Sequence, residues 1–250
     1  STLSIGRTSL DGTRRAVFVA GGPNQPRGIA LDGEYVYWGN NGTGSIGRMK
    51  PTGMGANPTF ISGASGPIAV AVDDRYVYWA NSESNSIGRA NRDGTGVDQS
   101  FITGANRPSG VAVNDRNIFW SNHLGDTIGR ADLDGTRVDQ SFITGADRPI
   151  GVAVDARHIY WGAADSLARA NLDGTGVNTS FVTGARFPGQ VAVDGRHIYW
   201  ASGGGFPIGR ANLDGTNIVS NFTWVPDANG VAVDGAPAGT AHANTTSMTF

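Results

Sequence analysis

The chain has 250 residues, of which 39% are hydrophobic and 38 are glycine, and its formal net charge is −2. This composition excludes a disordered or collagen-like chain, since apolar residues are plentiful and glycine follows no three-residue period. Cysteine is absent, which excludes disulfides, thiolate metal sites and cysteine nucleophiles. The small net charge and the lack of an apolar run of roughly 18 residues lead us to expect no nucleic-acid partner and no membrane insertion.

An internal repeat of about 41 residues runs through the chain. The tripeptide Ile-Gly-Arg, or Leu-Ala-Arg in one copy, begins at Ile5, Ile46, Ile87, Ile128, Leu167 and Ile208. Tryptophan follows the first five copies after 33 residues, at Trp38, Trp79, Trp120, Trp161 and Trp200. In the last copy His242 takes this place, one residue later. The spacing predicts six tandem structural units.

Each unit is predicted to contain four short β-strands, illustrated in chain order by the third copy. Its strands are predicted at residues 110–113, 117–120, 127–131 and 141–145, and a turn around Asp134-Gly135 separates the last two. Runs of four to six residues with period-2 patterning and Asp-Gly turns indicate antiparallel meanders. No segment has a convincing 3.6-residue period, so we expect essentially no helix.

Stacking of these units predicts an all-β fold, a six-bladed β-propeller with four antiparallel strands per blade. The aromatic second strands would fill the space between blades, and an alanine in each first strand would suit the crowded inner wall. Residues 1–22 supply only third and fourth strands, and residues 228–244 only first and second strands. We therefore expect the last blade to be closed by strands from both termini. Residues 1–250 form one domain in this interpretation, with 245–250 as a surplus tail.

The repeat resembles that of YWTD propellers, known from low-density-lipoprotein-receptor ectodomains, and more closely that of bacterial secreted proteins. The resemblance is carried by Tyr37-Trp38 and its counterparts, by the Ile-x-Arg third strand, and by Asn-Leu-Asp-Gly at 171–174 and 212–215. It covers essentially residues 4–244. The Thr-Asp of the motif is replaced here, as in Trp38-Gly39-Asn40, so no property that rests on that aspartate is carried over. The resemblance implies a six-bladed, secreted or cell-surface protein.

The predicted axial channel offers little metal-binding chemistry. Its inner positions are Gly28, Ala69, Gly110, Gly151, Gln190 and Gly230, of which only Gln190 is polar. Calcium requires six to eight oxygen ligands, so we expect no metal and no cofactor. A second ring consists of Asp32, Asp73, Asn114, Asp155, Asp194 and Asp234. These side chains are interpreted as caps of the turns that follow, with a shared cation as the alternative. The arginine of each Ile-x-Arg is interpreted as a structural partner.

No catalytic residue is assigned. His123 is the one histidine in a loop without a counterpart in other copies, and Asp126 is near it in sequence. No serine motif accompanies them, and a catalytic histidine needs an orienting acid and a nucleophile. A solvated loop histidine is the favoured interpretation.

The most informative differences between copies lie in the loops before the first strand and after the second. We predict a ligand-binding surface there, because exposed aromatic residues near arginines are typical of binding surfaces. The alternative is that these loops vary freely because they are solvated. Its predicted members are Arg27, Glu83, Arg107, His123, Asp126, Arg148, Arg186, Phe187, Phe206 and Trp224.

Three functions remain open at this stage. We favour a non-catalytic binding or scaffold propeller that recognises a protein, peptide or glycan. The alternatives are a lyase or hydrolase resembling six-bladed lactonases or streptogramin lyases, and a purely structural domain of a longer protein. No signal peptide opens the chain at Ser1, so we expect a mature or excised domain. We also expect a monomer that is secreted or lies at the cell surface.

Overall fold

The computed structural model describes residues 5–8, 15–18, 25–203, 205–224, 228–233 and 248–249. In these ranges the chain consists of β-strands joined by turns, and no helix is present. These residues therefore contain no helix that is long and apolar enough to cross a membrane. The prediction of an all-β chain is confirmed for this part of the protein.

Within the described ranges, most strands belong to five sheets of four antiparallel strands, blades 1 to 5. Two short strands, β1 (Ile5–Thr8) and β2 (Arg15–Phe18), precede them. Blade 1 contains β3 (Pro26–Leu31), β4 (Val36–Asn40), β5 (Ser45–Met49) and β6 (Asn57–Ser62). Blade 2 contains β7 (Pro67–Val72), β8 (Tyr76–Asn81), β9 (Ser86–Asn91) and β10 (Asp98–Thr103). Blade 3 contains β11 (Pro108–Val113), β12 (Asn117–Asn122), β13 (Thr127–Asp132) and β14 (Asp139–Thr144). Blade 4 contains β15 (Val152–Val154), β16 (His158–Gly162), β17 (Ser166–Asn171) and β18 (Asn178–Thr183). Blade 5 contains β19 (Pro188–Val193), β20 (His197–Ser202), β21 (Ile208–Asn212) and β22 (Val219–Thr223).

The hydrophobic core lies between neighbouring blades. Trp120 of blade 3 packs in one buried cluster with Tyr78 and Ile87 of blade 2. Trp161 of blade 4 packs in the next cluster with Phe119 of blade 3. Burial of each such side chain contributes roughly 1.5–3 kcal/mol. The prediction that the aromatic second strands fill the space between blades is confirmed here.

The first strands of successive blades adjoin and form the inner wall. β3 lies next to β7, β7 next to β11, β11 next to β15, and β15 next to β19. At Gly28 an added Cβ would be 2.5 Å from the Cα of Ala69, and at Gly151 it would be 2.5 Å from the Cα of Gln190. Small residues are therefore required because backbones approach this closely.

The prediction of six blades is wrong, because the residues that the structure describes form five four-stranded blades. β1, β2 and β23 (Met248–Thr249) form a separate three-stranded sheet, in which Ile5 is paired with Thr249. The predicted sixth blade needed its first two strands from residues 228–244. Residues 228–233 have no strand assigned, and 234–247, with Asp234 and His242, lie outside the described residues. The last copy also carries Ala241-His242 in place of the Tyr-Trp or Phe-Trp pair of the other copies.

The segment 228–233 nevertheless lies between blade 5 and blade 1. Val231 packs in a cluster with Ala192 and Tyr199 of blade 5. Ala232 packs with Trp38 of blade 1 in another buried cluster. The segment therefore contributes to the core without joining a hydrogen-bonded sheet in the described residues.

Candidate functional site

The two ends of the blades carry different loops because successive strands run antiparallel. The variable-loop face carries the loops between second and third strands and the connections between blades: residues 41–44, 63–66, 82–85, 104–107, 123–126, 145–148, 163–165, 184–187, 203, 205–207 and 224. The turn face, at the opposite end, carries the turns between first and second and between third and fourth strands: residues 32–35, 50–56, 73–75, 92–97, 114–116, 133–138, 155–157, 172–177, 194–196 and 213–218. Nine of the ten predicted ligand-binding residues lie on the variable-loop face, and Arg27 lies beside it at the second position of β3.

Blade 5 brings two of the predicted aromatic residues together. The rings of Phe187 and Phe206 are stacked, with centroids 6.5 Å apart and planes inclined by 25°. The guanidinium of Arg186 lies 5.7 Å from the centroid of Phe206. Phe187 is 59% exposed, so this stacked pair presents apolar surface to solvent.

Trp224 extends the exposed aromatic surface of the same blade. It directly follows β22, whose Thr223 is paired with Ile208. Phe206 precedes Ile208 by two residues, so Trp224 lies at the end of the sheet from which the Phe206 loop emerges. Trp224 is 54% exposed. We call Arg186, Phe187, Phe206 and Trp224 the aromatic patch.

The connections between blades hold unusual backbone conformations. The residue before the first-strand proline has positive φ in each of five connections: Gln25 (53°), Gly66 (61°), Arg107 (50°), Arg148 (51°) and Phe187 (53°). A non-glycine residue in this region costs roughly 1–2 kcal/mol, and a residue before proline normally adopts an extended conformation. The repeat architecture therefore stabilises a strained backbone that directs variable side chains to this face.

His123 and Asp126 are held by separate backbone groups. The Oδ1 atom of Asp126 accepts a hydrogen bond of 2.8 Å from the backbone N–H of Arg148. Asn85 Oδ1 accepts the same bond from the N–H of Arg107 in the preceding connection, so two connections share this loop brace. His123 Nδ1 lies 3.3 Å from the carbonyl oxygen of Pro149. The role of Asp126 is thus structural, and it does not orient His123.

The remaining predicted site residues are spread over several blades. Arg27 donates a hydrogen bond of 3.1 Å to Asn229, which links blade 1 to the segment 228–233. The side chain of Glu83 lies against Gly66, where an added Cβ would be 2.7 Å from its Cγ. Arg107 and Arg148 are exposed in their own connections. Among the predicted residues, Arg186, Phe187 and Phe206 of the aromatic patch form one local cluster, and Asp126 contacts Arg148 in another connection.

The one polar residue predicted for the channel has a protein partner. Gln190 Nε2 donates a hydrogen bond of 2.8 Å to the carbonyl oxygen of Ser109, so it reaches from blade 5 past blade 4 to blade 3. In the described part of the chain, no group of three His, Cys, Asp or Glu residues is arranged to hold a metal ion.

The ring of acidic and amide residues caps the turns of the turn face, as predicted. Oδ1 of Asp155 accepts hydrogen bonds of 2.7 Å from the N–H groups of Arg157 and His158. The same arrangement occurs at Asp32, Asp73, Asn114 and Asp194. Asp234 lies outside the described residues. These contacts support the interpretation as turn caps over that of a shared cation site.

The second carboxylate oxygen of these aspartates accepts a hydrogen bond from a buried tyrosine. The Tyr37 hydroxyl donates to Asp32 Oδ2 at 2.9 Å. Burial, together with the negative charge of Asp32, raises the pKa of Tyr37 to about 12. Burial and the adjacent aspartate likewise raise the pKa of Tyr78, Tyr160 and Tyr199.

Three arginines of the third strands, Arg48, Arg89 and Arg169, connect neighbouring blades, which agrees with their interpretation as structural partners. The Arg48 guanidinium lies 3.8 Å from the ring centroid of Phe60 in its own blade. It also donates a hydrogen bond of 2.9 Å to the carbonyl oxygen of Arg92 in blade 2. Arg169 repeats both contacts, with Phe181 at 4.0 Å and the carbonyl oxygen of Leu213 at 3.4 Å.

Sequence reasoning missed a groove on the turn face between blades 4 and 5. It has a volume of about 410 Å³ and is lined by residues that include Asp155, Arg157, His158, Arg169 and Leu213. Burial is the main cause that lowers the pKa of His158, and the positive charge of Arg169 adds to it. The available signal was the exchange of two repeat positions, with Leu213 in place of Arg92 and His158 in place of Tyr35.

No protein-family model matches the chain, and no curated protein matches it. Solved structures do resemble it. It is similar to a chain of a nidogen/laminin complex, with 23% identity, a TM-score of 0.75, and coverage of 87% of this chain and 91% of the other. It is similar to a gluconolactonase from Xanthomonas campestris, with 13% identity, a TM-score of 0.75, and coverage of 98% and 94%. It is also similar to a catalytically inactive virginiamycin B lyase from Staphylococcus aureus, solved with quinupristin, with 17% identity, a TM-score of 0.67, and coverage of 98% and 86%.

These likenesses and the sheet topology define the class: the chain is a β-propeller. The predicted resemblance to YWTD propellers holds at the level of this fold. The neighbours include both a member of a protein–protein complex and enzymes, so the fold does not select a function.

Proposed function

We propose that the protein is a non-catalytic binding module that recognises a protein, peptide or glycan through its variable-loop face. The observation that carries this proposal is the aromatic patch of blade 5, in which stacked Phe187 and Phe206 adjoin Arg186. Exposed aromatic and arginine side chains dominate the binding energy of many interfaces. The same surfaces also stack on sugar rings.

The patch is specific to one blade, which separates it from features that every blade shares. The position of Phe187 is occupied by Gly66, Arg107 and Arg148 in blades 2, 3 and 4. The position of Trp224 is occupied by threonine in blades 2 to 4. A structural requirement of the repeat would give the same residue type in each blade, so a local role in recognition accounts better for these differences.

The similar propeller chain in a nidogen/laminin complex gives further support. The two similar enzymes keep catalysis as the alternative. Binding ranks first because His123 and Asp126 are engaged with separate backbone groups on this face. Turnover of a lactone or a streptogramin by the purified protein, detected by mass spectrometry, would reverse this order.

The test is a screen of immobilised protein against glycan and peptide arrays, followed by variants of the patch. Phe187→Ala and Trp224→Ala should each weaken capture of the ligand at least about tenfold, since hot-spot aromatics contribute roughly 2 kcal/mol or more. Both side chains are more than half exposed, so the melting temperature should change little. Leu124→Ala is the matched control, because Leu124 is 58% exposed on the same face in another blade. A ligand that binds both patch variants as tightly as wild type would refute the proposal.

A further inference from the structure

The groove between blades 1 and 2 on the turn face contains an internal arginine. Arg92 of blade 2 forms an ion pair with Oδ2 of Asp32 in blade 1. Its Nη1 atom also donates a hydrogen bond of 3.4 Å to the carbonyl oxygen of Asp74. The side chain of Asp32 is only 1% exposed as a result. This groove therefore holds a guanidinium between a carboxylate and a backbone carbonyl.

The groove between blades 4 and 5 has the same acceptors without the arginine. Leu213 occupies the position of Arg92, Asp155 that of Asp32, and Gly195 that of Asp74. Asp155 accepts the same two backbone N–H groups and the same tyrosine hydroxyl as Asp32 does. Its side chain is 15% exposed, so part of the carboxylate faces the cavity of about 410 Å³.

A second exchange widens this groove. Blades 1 and 2 carry Tyr35 and Tyr76 at the position where blade 4 carries His158. In blade 2 the Tyr76 ring covers Arg89, with its centroid 4.4 Å from the guanidinium carbon. Because imidazole is smaller than a phenol ring, His158 leaves open the space beside Arg169.

The other grooves between described blades lack one of these features. The groove between blades 2 and 3 has Asp73 and Leu133, but Tyr76 stands where blade 4 has His158 and covers Arg89. The groove between blades 3 and 4 has Asn114 instead of a carboxylate. Of the four grooves between blades 1 to 5, only that between blades 4 and 5 therefore combines the carboxylate, the leucine and the histidine.

We propose that this groove binds a guanidinium group supplied by a ligand, such as the side chain of an arginine, in the place that Arg92 occupies in the first groove. A guanidinium fits because its planar donors match a carboxylate and a neighbouring carbonyl at once. The positive charge of Arg169 does not prevent this, since Arg48 coexists with Arg92 in the first groove. Arg157 stands at the rim where blade 1 has Glu34, which favours a ligand that also carries a carboxylate.

This site is separate from the aromatic patch, since the turn face and the variable-loop face are at opposite ends of the blades. If the groove does not bind a guanidinium, the proposed function of the variable-loop face is unaffected. Phe187→Ala should likewise leave guanidinium binding unchanged.

The experiment is an NMR titration of the ¹⁵N-labelled protein with N-acetyl-L-arginine. We expect saturable shifts of the backbone amides of His158 and Gly195. N-acetyl-L-citrulline is the neutral, nearly isosteric control and should bind at least about tenfold more weakly, because the charge-assisted hydrogen bond to Asp155 is lost. Equal binding of the two probes, or no saturable shift with the arginine probe, would overturn the proposal.

Variants that copy the chain's own repeats test the site without an unprecedented packing change. Leu213→Arg reproduces Arg92 and should abolish binding by filling the groove. Asp155→Asn reproduces Asn114 and should weaken binding at least about tenfold. Leu172→Arg is the control, because it adds the same positive charge to the groove between blades 3 and 4, where Asn114 replaces the carboxylate. It should leave the affinity for N-acetyl-L-arginine unchanged.

A gain of binding provides the converse test. The double variant Arg92→Leu with Tyr35→His gives the groove between blades 1 and 2 the leucine and the histidine that Leu213 and His158 supply between blades 4 and 5. It should create a second set of saturable shifts around Asp74. If the Leu213→Arg variant binds N-acetyl-L-arginine as tightly as wild type, the assignment of the site is wrong, even if the double variant gains binding.

Discussion

The hydroxyl of Tyr160 donates a hydrogen bond of 2.9 Å to Oδ2 of Asp155, whose other oxygen caps the turn after the first strand of blade 4. The pair links the turn face to the buried second strand. In blade 3 both members are exchanged together, to Phe119 and Asn114. The turn cap itself survives this exchange, because Asn114 Oδ1 still accepts from the N–H of Arg116 at 3.0 Å.

The joint exchange predicts that the two positions are energetically coupled. Tyr160→Phe alone should destabilise the protein by about 1–2 kcal/mol, because a hydrogen bond to a charged group is lost. In an Asp155→Asn background the same change should cost less, by about 1 kcal/mol. Urea unfolding of the four proteins of the double-mutant cycle measures this difference. Strictly additive effects would show that the pair is not coupled.

Alkaline pH should destabilise the fold through the same network. The pKa of Tyr37 is raised to about 12 in the folded protein, against about 10 in an unfolded chain. The folded state therefore holds this proton more tightly, and its contribution to stability is complete below pH 10 and is lost as the pH rises through 12. Tyr78, Tyr160 and Tyr199 act in the same direction.

Thermal unfolding between pH 8 and pH 11 measures this effect, and the melting temperature should fall most steeply above pH 10. Tyr78→Phe is the control, because it removes one of the raised pKa values and should make the fall shallower. A melting temperature with the same alkaline slope in both proteins would count against the network as its cause.

The spacing of the tryptophans identified the blades because each indole has a fixed place in its sheet. Trp120 lies over Gly129 of the adjacent strand, where an added Cβ would be 2.2 Å from the indole. Its Nε1–H donates a hydrogen bond of 2.9 Å to Gln140. A repeated residue that fills the same interface in each blade leaves a period in the sequence, so this part of the fold was predictable.

This contact predicts that Gly129→Ala overpacks the sheet. The indole would have to shift and lose its bond to Gln140, at a cost of about 1–3 kcal/mol. Gly203→Ala is the matched control, since an added Cβ there would have no atom within 4 Å. Chemical denaturation should separate the two variants. Equal stabilities would mean that the interface adapts to the extra carbon at little cost.

The number of blades was not predictable in the same way. Six copies of the third-strand motif can be counted, but a blade also requires each strand to have a hydrogen-bonded neighbour. At the chain ends this depends on which segments meet, and Ile5 is paired with Thr249 rather than with the segment expected from the spacing. Periodicity contains no information about that pairing.

The candidate sites were predictable only in part, for a related reason. The variable residues of one face could be listed, but the stacking of Phe187 on Phe206 depends on a left-handed backbone at a residue before proline. The groove on the turn face depends on Asp155 and Leu213, which are distant in sequence and belong to different blades. Only the three-dimensional arrangement shows that Asp155 and Leu213 line one groove, in the places that Asp32 and Arg92 occupy in another.

Thr223 offers a stabilising substitution that the repeat itself suggests. Its side chain is 3% exposed, and Oγ1 has no hydrogen-bond partner in the described part of the chain. Blades 1 to 4 carry an aliphatic residue at this position, namely Ile61, Ile102, Ile143 and Val182. A buried hydroxyl without a partner costs about 1–3 kcal/mol, so Thr223→Val should stabilise the protein by about 1–2 kcal/mol, because a methyl group replaces the hydroxyl at nearly the same volume. Thr183→Val, at an exposed position of the neighbouring blade, should change the free energy of unfolding by less than about 0.5 kcal/mol. If Thr223→Val were destabilising instead, the hydroxyl would have to be satisfied in solution, and the adjoining end of blade 5 would then be more hydrated than its burial indicates.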